Sequence, residues 1–388
     1  MTTLTGAEAI VRLLAAEGVR CVFGIVGGKL APLLHALARE RRLRFVGMRH
    51  EAAASMAAAG WQAATGELAV AIGEMGPGGL NLASGLGIAQ ANHLPLLAIT
   101  TNQHRMAAYP HRGMFMDLDA RAVFAPLVKW NAVVHEGQRL PELVRRALRE
   151  ALSGRPGPVH LDIPQDVLAG PIQVPDDEMA LAPARYRALT RPRPDASAVA
   201  SAAALLTAAR RPLVVAGGGA AASAAVAQVR ELAEWLRAPI VPSQMALGVV
   251  PSTSPLFIGH GGLIAGEAVR QAFAQADAVV SIGCRYSSWM WDEQGAYVRR
   301  SHRHVNINID PSALGLAAEH EVAIHADAAL ALNDLLAHLR TSAARPNTED
   351  DWATRLRATR AAYERELDAM ADAPAPAGEA MHPAALAR

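Results

Sequence analysis

An acid that opens a helix, set between glycine turns that follow apolar runs, is the feature of this sequence with the most capacity for chemistry. Glu51 follows Arg49-His50 and precedes an Ala-rich helical stretch, residues 52–64. Two glycine-rich segments bracket it, Gly24-Ile25-Val26-Gly27-Gly28 after one apolar run and Gly76-Pro77-Gly78-Gly79-Leu80-Asn81 ahead of another helical stretch. In an open α/β sheet such turns line the crevice at the carboxyl ends of the strands, where ligands bind. An acid placed there can trade protons with a ligand. Taken alone, an acid in the first turn of a helix is better explained by the helix dipole.

Other chemistries are excluded by what the sequence lacks. No Gly-x-x-x-x-Gly-Lys, His-Glu-x-x-His or Gly-x-Ser-x-Gly segment occurs, which removes the commonest NTPase, metalloprotease and serine-hydrolase readings. Cys21 and Cys284 lie far apart and neither belongs to a Cys-x-x-Cys pair, so no disulfide framework or zinc site is indicated and a cytoplasmic protein is expected. The 388 residues carry 37 basic and 36 acidic side chains, dispersed without a basic stripe, so nucleic acid is not an expected partner. No apolar run reaches about 18 residues and no leader pattern opens the chain, so neither a membrane span nor a targeting segment is expected.

The elements that must hold Glu51 follow from periodicity. Thr5-Gly6-Ala7-Glu8 reads as a capping box that starts a helix ending at Gly18. Apolar runs at Val19–Phe23, Leu68–Ile72, Leu94–Thr100 and Val159–Ile163 alternate with helical stretches, which predicts parallel strands with crossover helices in a first domain, 1–170. Prolines 171, 175, 183, 192 and 194 mark an expected extended linker, 171–195. The rhythm resumes over 196–345 as a second doubly wound, Rossmann-like domain. Its strands are expected at Leu213–Ala216, Pro239–Pro242, Ala278–Ile282 and Val305–Ile309, its helices at Ala221–Leu236 and Ala326–Leu339. Residues 346–388 read as a surface helix from Asp350 to Leu367 and a Pro- and Ala-rich linker. The fold class is α/β, two parallel-sheet domains with a helical tail.

Order along the chain now sharpens the reading of Glu51. The segments Gly24 to Gly28, Met48-Arg49-His50-Glu51-Ala52, Gly60, Ala64-Thr65-Gly66, Gly76-Pro77-Gly78 and Leu94-Pro95, then Phe124 to Asn131 and Gly154 to Pro164, resemble the pyrimidine-binding domain of thiamine-diphosphate-dependent enzymes of the acetolactate synthase branch. Ala209-Arg210-Arg211-Pro212, Gly217-Gly218-Gly219, Gly283-Cys284-Arg285 and Asn308-Ile309-Asp310-Pro311 resemble that family's central domain in the same order. The resemblance implies that Glu51 exchanges a proton with the aminopyrimidine ring, so that the thiazolium can act as nucleophile and electron sink when a 2-oxo acid loses carbon dioxide.

By the same resemblance Val26, Gly27 and Gly28 lie beside the thiazolium, while Pro77 and Asn81 border the pyrimidine. His111, Phe115 and Met116 belong to a substrate loop. The family usually has Phe-Gln where this chain has Phe115-Met116, which exchanges a hydrogen-bonding amide for a thioether and points to a change in the acceptor or in how it is activated. Relatives often hold FAD on the central domain; here the glycine pattern departs from Gly-x-Gly-x-x-Gly and an empty nucleotide fold is favoured. Met106, Met114, Met116, Trp289 and Trp291 are expected in pocket or core packing. The Gly-Asp-Gly segment with which the family binds magnesium and the diphosphate does not occur. A separate subunit is therefore expected to supply that part of the site, around a homodimeric core in a heterotetramer. The expected activity is that of a split carboligase or decarboxylase; the alternative is a non-catalytic regulatory or structural paralogue.

Overall fold

Thr5 and Glu8 open the first helix reciprocally, the Thr5 hydroxyl accepting from Glu8 N and the Glu8 carboxylate from Thr5 N, and Gly18 ends it in the left-handed region at φ 88°. The computed structural model describes residues 1–108, 111–292, 295–342, 345–373 and 385, and the chain forms two compact units, Met1–Thr190 and Arg191–Arg388. The expected linker from Pro374 through Pro383 lies outside the described residues.

The first unit runs β1 (Thr2–Thr5), α1 (Gly6–Glu17), β2 (Cys21–Gly24), α2 (Ala31–Arg39), β3 (Arg44–Gly47), α3 (Glu51–Thr65), β4 (Ala69–Gly73), α4 (Pro77–Asn81), α5 (Ala83–Asn92), β5 (Leu96–Asn102), α6 (Arg105–Ala108), α7 (Ala120–Phe124), β6 (Trp130–Val133), α8 (Leu140–Leu152), β7 (Pro158–Pro164), α9 (Gln165–Ala169), β8 (Pro171–Val174) and α10 (Asp176–Met179). Strands β2 to β7 form one parallel sheet in the order β3-β2-β4-β5-β7-β6. Helices cover both faces, so β4, β5 and β7 are buried at every position; β4 reads as an unbroken apolar run, while β5 and β7 bury polar side chains among their apolar ones.

The second unit runs α11 (Ala196–Ala208), β9 (Pro212–Ala216), α12 (Gly218–Ala222), α13 (Val226–Leu236), β10 (Ile240–Pro242), α14 (Glu267–Gln275), β11 (Ala278–Ile282), the short antiparallel pair β12 (Trp291–Asp292) and β13 (Gly295–Ala296), β14 (Arg303–Asn308), β15 (Val322–His325), α15 (Ala328–Thr341) and α16 (Trp352–Asp372). Its parallel sheet has the order β10-β9-β11-β14-β15.

Three expectations change. Pro171–Val174, assigned to a linker, is strand β8, and it pairs antiparallel with β1 from Thr2↔Val174 to Thr5↔Pro171. Ile172 and Val174 are buried while Pro171 and Gln173 face out, a period of two that the proline cluster masks. The expected helix Ala221–Leu236 breaks into α12 and α13 around Ala224 at φ 55°. There the Ser223 hydroxyl donates to Asp327 Oδ2 at 2.8 Å and accepts from Ala329 N at 3.0 Å, which ties the break to the start of α15. The charged tail helix is not wholly on the surface: Trp352 and Leu356 of α16 are buried, and Trp352 Nε1 donates to Pro212 O.

Both sheets bury a hydroxyl against a histidine on the next strand. Thr100 on β5 meets His160 Nε2 of β7 at 2.8 Å, and Ser281 on β11 meets His304 Nε2 of β14 at 2.6 Å. The aligned partner of each hydroxyl residue is again polar, Asp162 opposite Thr100 and Asn306 opposite Ser281.

The helix that begins with Glu51 is seated on α5 through one small residue. A Cβ at Gly85 would lie 2.3 Å from the Ser55 carbonyl carbon and 2.5 Å from Met56 N, both backbone atoms of α3. Gly85→Ala should therefore force α3 off α5 and destabilise the protein by about 1–3 kcal/mol, as overpacking does. Urea unfolding should show a lower midpoint; a higher one, as helix propensity alone would give, would contradict this packing.

Candidate functional site

The sequence places Glu51 one residue too late for a loop: it is the first residue of α3, with His50 as its cap, whose Nδ1 accepts from Ala52 N at 3.2 Å. The carboxylate leans across to the turn after β4, where Asn81 Nδ2 donates to Glu51 Oε2 at 3.0 Å. The other oxygen, Oε1, sits over Gly78, where a Cβ would stand 2.8 Å away. Gly76 makes the approach possible at φ 62°, and Pro77 begins α4 at a position where no N–H is needed. Glu51, Asn81 and the Gly76–Gly78 turn are thus brought together from sequence positions about 30 residues apart.

The turn Val26-Gly27-Gly28 reaches the same place through a residue that sequence reasoning missed. Glu74, at the end of β4, accepts from Lys29 N through Oε2 at 2.9 Å, and from Met75 N at 3.1 Å and the Thr101 hydroxyl at 3.2 Å through Oε1. It ties together the turns after β2 and β4 and the end of β5. Gly27 is required there, since a Cβ would fall 2.1 Å from Glu74 Oε2, and Gly78 separates Glu74 from Glu51. The available signal was its place, an acid directly after an apolar run and two residues before Gly76. Val26 and Pro77 are exposed on these turns and leave apolar surface there.

The segment expected to be a substrate loop closes on the Gly76 turn. Met116 adopts φ 61°, and its carbonyl oxygen lies 2.6 Å from where a Gly76 Cβ would be. Gln103 Nε2 donates to Phe115 O at 2.8 Å, leaving the Phe115 ring 82% exposed. His111 Nδ1 pairs with Asp117 Oδ1 at 2.5 Å within the same segment. Met106, Met114, Trp289 and Trp291, expected in pocket or core packing, are exposed in the chain.

Beneath the loop lies the buried network of β5 and β7. Thr100 donates to Asp162 Oδ1 at 2.7 Å, Asn102 Nδ2 donates to Asp162 Oδ2 at 2.8 Å and to Leu118 O, and Gln103 N donates to Asn102 Oδ1. Since the Thr100 proton goes to Asp162, His160 must donate through Nε2, which leaves Nδ1 as a bare acceptor packed against Phe124. Burial pushes the His160 ring down to about 3 and His304 down to about 4.

On the far side of the Gly27 turn, Lys29 Nζ donates to Gln165 Oε1 at 2.5 Å. The next residue, Asp166, takes Arg105 Nε at 2.6 Å and Arg105 N at 3.0 Å; burial would raise its carboxyl, but the Arg105 hydrogen bonds hold it below the usual carboxylate range. In the second unit the Gly217–Gly219 turn is filled by protein. A Cβ on Gly217 would lie 2.2 Å from Gly283 O, and one on Gly219 2.8 Å from Gly283 Cα, so the close approach of two strand-end turns accounts for these glycines. Among the described residues no group of three or more His, Cys, Asp or Glu side chains is arranged to hold a metal ion, and no helix is long and apolar enough to cross a membrane.

Comparison with known proteins assigns both units to one family. Residues 4–123 match the N-terminal TPP binding domain of thiamine pyrophosphate enzymes, and residues 199–335 match their central domain. The chain is 34% identical over 341 residues to a probable acetolactate synthase large subunit of Methanocaldococcus jannaschii, covering 87% of this chain and 56% of that protein. It is 33% identical over 339 residues to the acetolactate synthase isozyme 1 large subunit of Escherichia coli strain K12, covering 86% and 57%. Against an acetolactate synthase of Mycobacterium bovis it is 32% identical over 337 residues, covering 87% and 54%. The chain spans about half the length of the curated relatives it matches.

Two outcomes are expected. Glu74→Ala should free the Gly27 turn, so that the Lys29 and Met75 amides exchange with solvent more than tenfold faster at an unchanged rate for the core of β4; equal protection in the variant would contradict the tether. His160 and His304 stay neutral when folded but take up protons near pH 6.5 when unfolded. The stability they contribute is therefore complete above about pH 6.5 and falls as pH drops toward 4, by about 1.4 kcal/mol per pH unit for each histidine. His160→Gln should remove about one proton from the acid limb of urea unfolding of the first unit, and an unchanged slope would contradict a neutral buried ring.

Proposed function

The chain belongs to the thiamine pyrophosphate enzymes, and from that membership we propose that its first unit forms the pyrimidine side of a thiamine-diphosphate site in a carboligase acting on a 2-oxo acid. Bound there, the cofactor supplies the nucleophilic carbon and the electron sink for loss of carbon dioxide and formation of a new carbon–carbon bond.

The residues present fit that ring. Asn81 occupies Glu51 Oε2 and fixes the carboxyl plane, which leaves Oε1, over the hydrogen of Gly78, to share a proton with the pyrimidine ring nitrogen. Val26 and Pro77 offer exposed apolar surface for the two rings, and Glu74 holds the Val26–Gly28 turn in register with the Gly76–Asn81 turn. Phe115 and Met116 close toward the same turn and would face the acceptor. Magnesium and the diphosphate would be held by protein outside these two units, the role that the sequence reading assigns to a partner chain.

The observation that carries the reading is the Glu51–Asn81 pair above Gly78, in a chain about one third identical to acetolactate synthases. Purified with a protein that carries the diphosphate domain, the chain should consume 2-oxo acid only with thiamine diphosphate and magnesium. Glu51→Gln should lower that turnover by 10²–10⁴-fold, the range of general acid–base contributions, with an unchanged melting transition. Undiminished turnover in the variant would favour a non-catalytic paralogue that supports a partner's chemistry.

A further inference from the structure

Lys29 and Lys129 are the chain's two lysines, and the fold treats them differently. Lys129 is structural: its ammonium donates to Glu150 O at 2.5 Å and to Ser153 O at 3.0 Å, closing the end of α8. Lys29 stands directly after Gly28, its backbone N–H fixed by Glu74. It is partly buried, its ammonium donates to the neutral amide of Gln165, and it forms no ion pair among the described residues.

An ammonium carries three N–H donors, and Gln165 engages one of them. The nearby carboxylate is engaged elsewhere. Asp166, adjacent to Gln165, is held by the Nε and backbone N of Arg105, with His104 Nε2 at 3.7 Å. Arg105 also directs Nη1 to His135 O. Lys29 thus brings a fixed positive charge with hydrogen-bonding capacity to spare to the carboxyl ends of β2 and β7. Met116, meanwhile, takes an amide away from the loop at the Gly76 turn.

We infer that Lys29 is a specificity-determining residue that receives a second carboxylate on the substrate, so that the site selects a 2-oxo diacid over a 2-oxo monoacid. The inference rests on the proposed function, which puts the Val26–Gly28 turn beside the reacting carbon. The flexible four-carbon stem lets the ammonium swing from Gln165 to a carboxylate entering the crevice. The chemistry needs no further group: a charge-assisted hydrogen bond replaces one to a neutral amide.

The presence of just two lysines makes the test direct. In the full chain labelled with 13C- and 15N-lysine, two side-chain ammonium signals are expected, assigned by loss of one in Lys29→Gln. Titration with 2-oxoglutarate should move the Lys29 signal saturably, with an apparent Kd at least tenfold below that for pyruvate, while Lys129 stays still. Equal responses to both oxo acids, no response to either, or tighter binding of inorganic pyrophosphate, which would assign Lys29 to the cofactor's diphosphate, each overturn the inference. Glu51→Gln should leave the titration unchanged, which separates the two readings. A Lys29 that responds to the diacid in an assembled protein without Glu51-dependent turnover keeps the site and sinks the function. Glu51-dependent turnover of 2-oxo acids with an indifferent Lys29 does the reverse.

Discussion

Gly78 carries a hydrogen where any other residue would hold a carbon 2.8 Å from Glu51 Oε1, and the arrangement of the first unit depends on that gap. A carboxylate at a helix start usually faces water. Here α3 is pressed onto α5 at Gly85, which sends Glu51 over the turn after β4. Asn81, arriving from the end of α4, takes one carboxylate oxygen and leaves the other over the glycine. Two glycines without side chains and one amide thus decide where an acid can meet a ligand, with Gly85 setting the helix and Gly78 the clearance.

The surrounding carboxylates and polar side chains serve position. Glu74 spends its oxygens on two backbone N–H groups and a hydroxyl, which joins three strand ends into one rim. Below it the Thr100, His160, Asp162 and Asn102 network reaches Leu118 O and so holds the base of the loop that carries Phe115 and Met116. Charge-assisted bonds of this kind contribute about 1.5–3 kcal/mol each, enough to make a rim of short turns behave as one piece. The second sheet repeats the hydroxyl–histidine pair with Ser281 and His304 and fills its glycine turns with its own backbone.

Much of this was legible in the sequence because parallel strands covered on both faces read as apolar runs. The expected strands of both units fall within two residues of the observed ones. The glycine turns could be placed for the same reason, and α3, expected over 52–64, begins one residue earlier at Glu51. Strand β8 was hidden by prolines, although its alternation of exposed and buried residues was present. The break at Ala224 was illegible because its cause, the Ser223 contact with Asp327 and Ala329, spans more than 100 residues. Glu74 could not be singled out from the sequence because its role comes from partners on other elements, the Lys29 and Met75 amides and the Thr101 hydroxyl. Met106, Met114, Trp289 and Trp291 stand outside the core because apolar character alone does not place a residue inside.

The central claim is that Glu51 governs the protonation of the cofactor's pyrimidine ring. It is tested most directly by the exchange of the thiazolium carbon-bound hydrogen of enzyme-bound thiamine diphosphate for deuterium, followed by quenched-flow NMR in the assembled protein. With Glu51 in place the exchange should run at least 10²-fold faster than in Glu51→Gln, in keeping with general acid–base catalysis. Equal exchange rates in the two proteins would contradict the account.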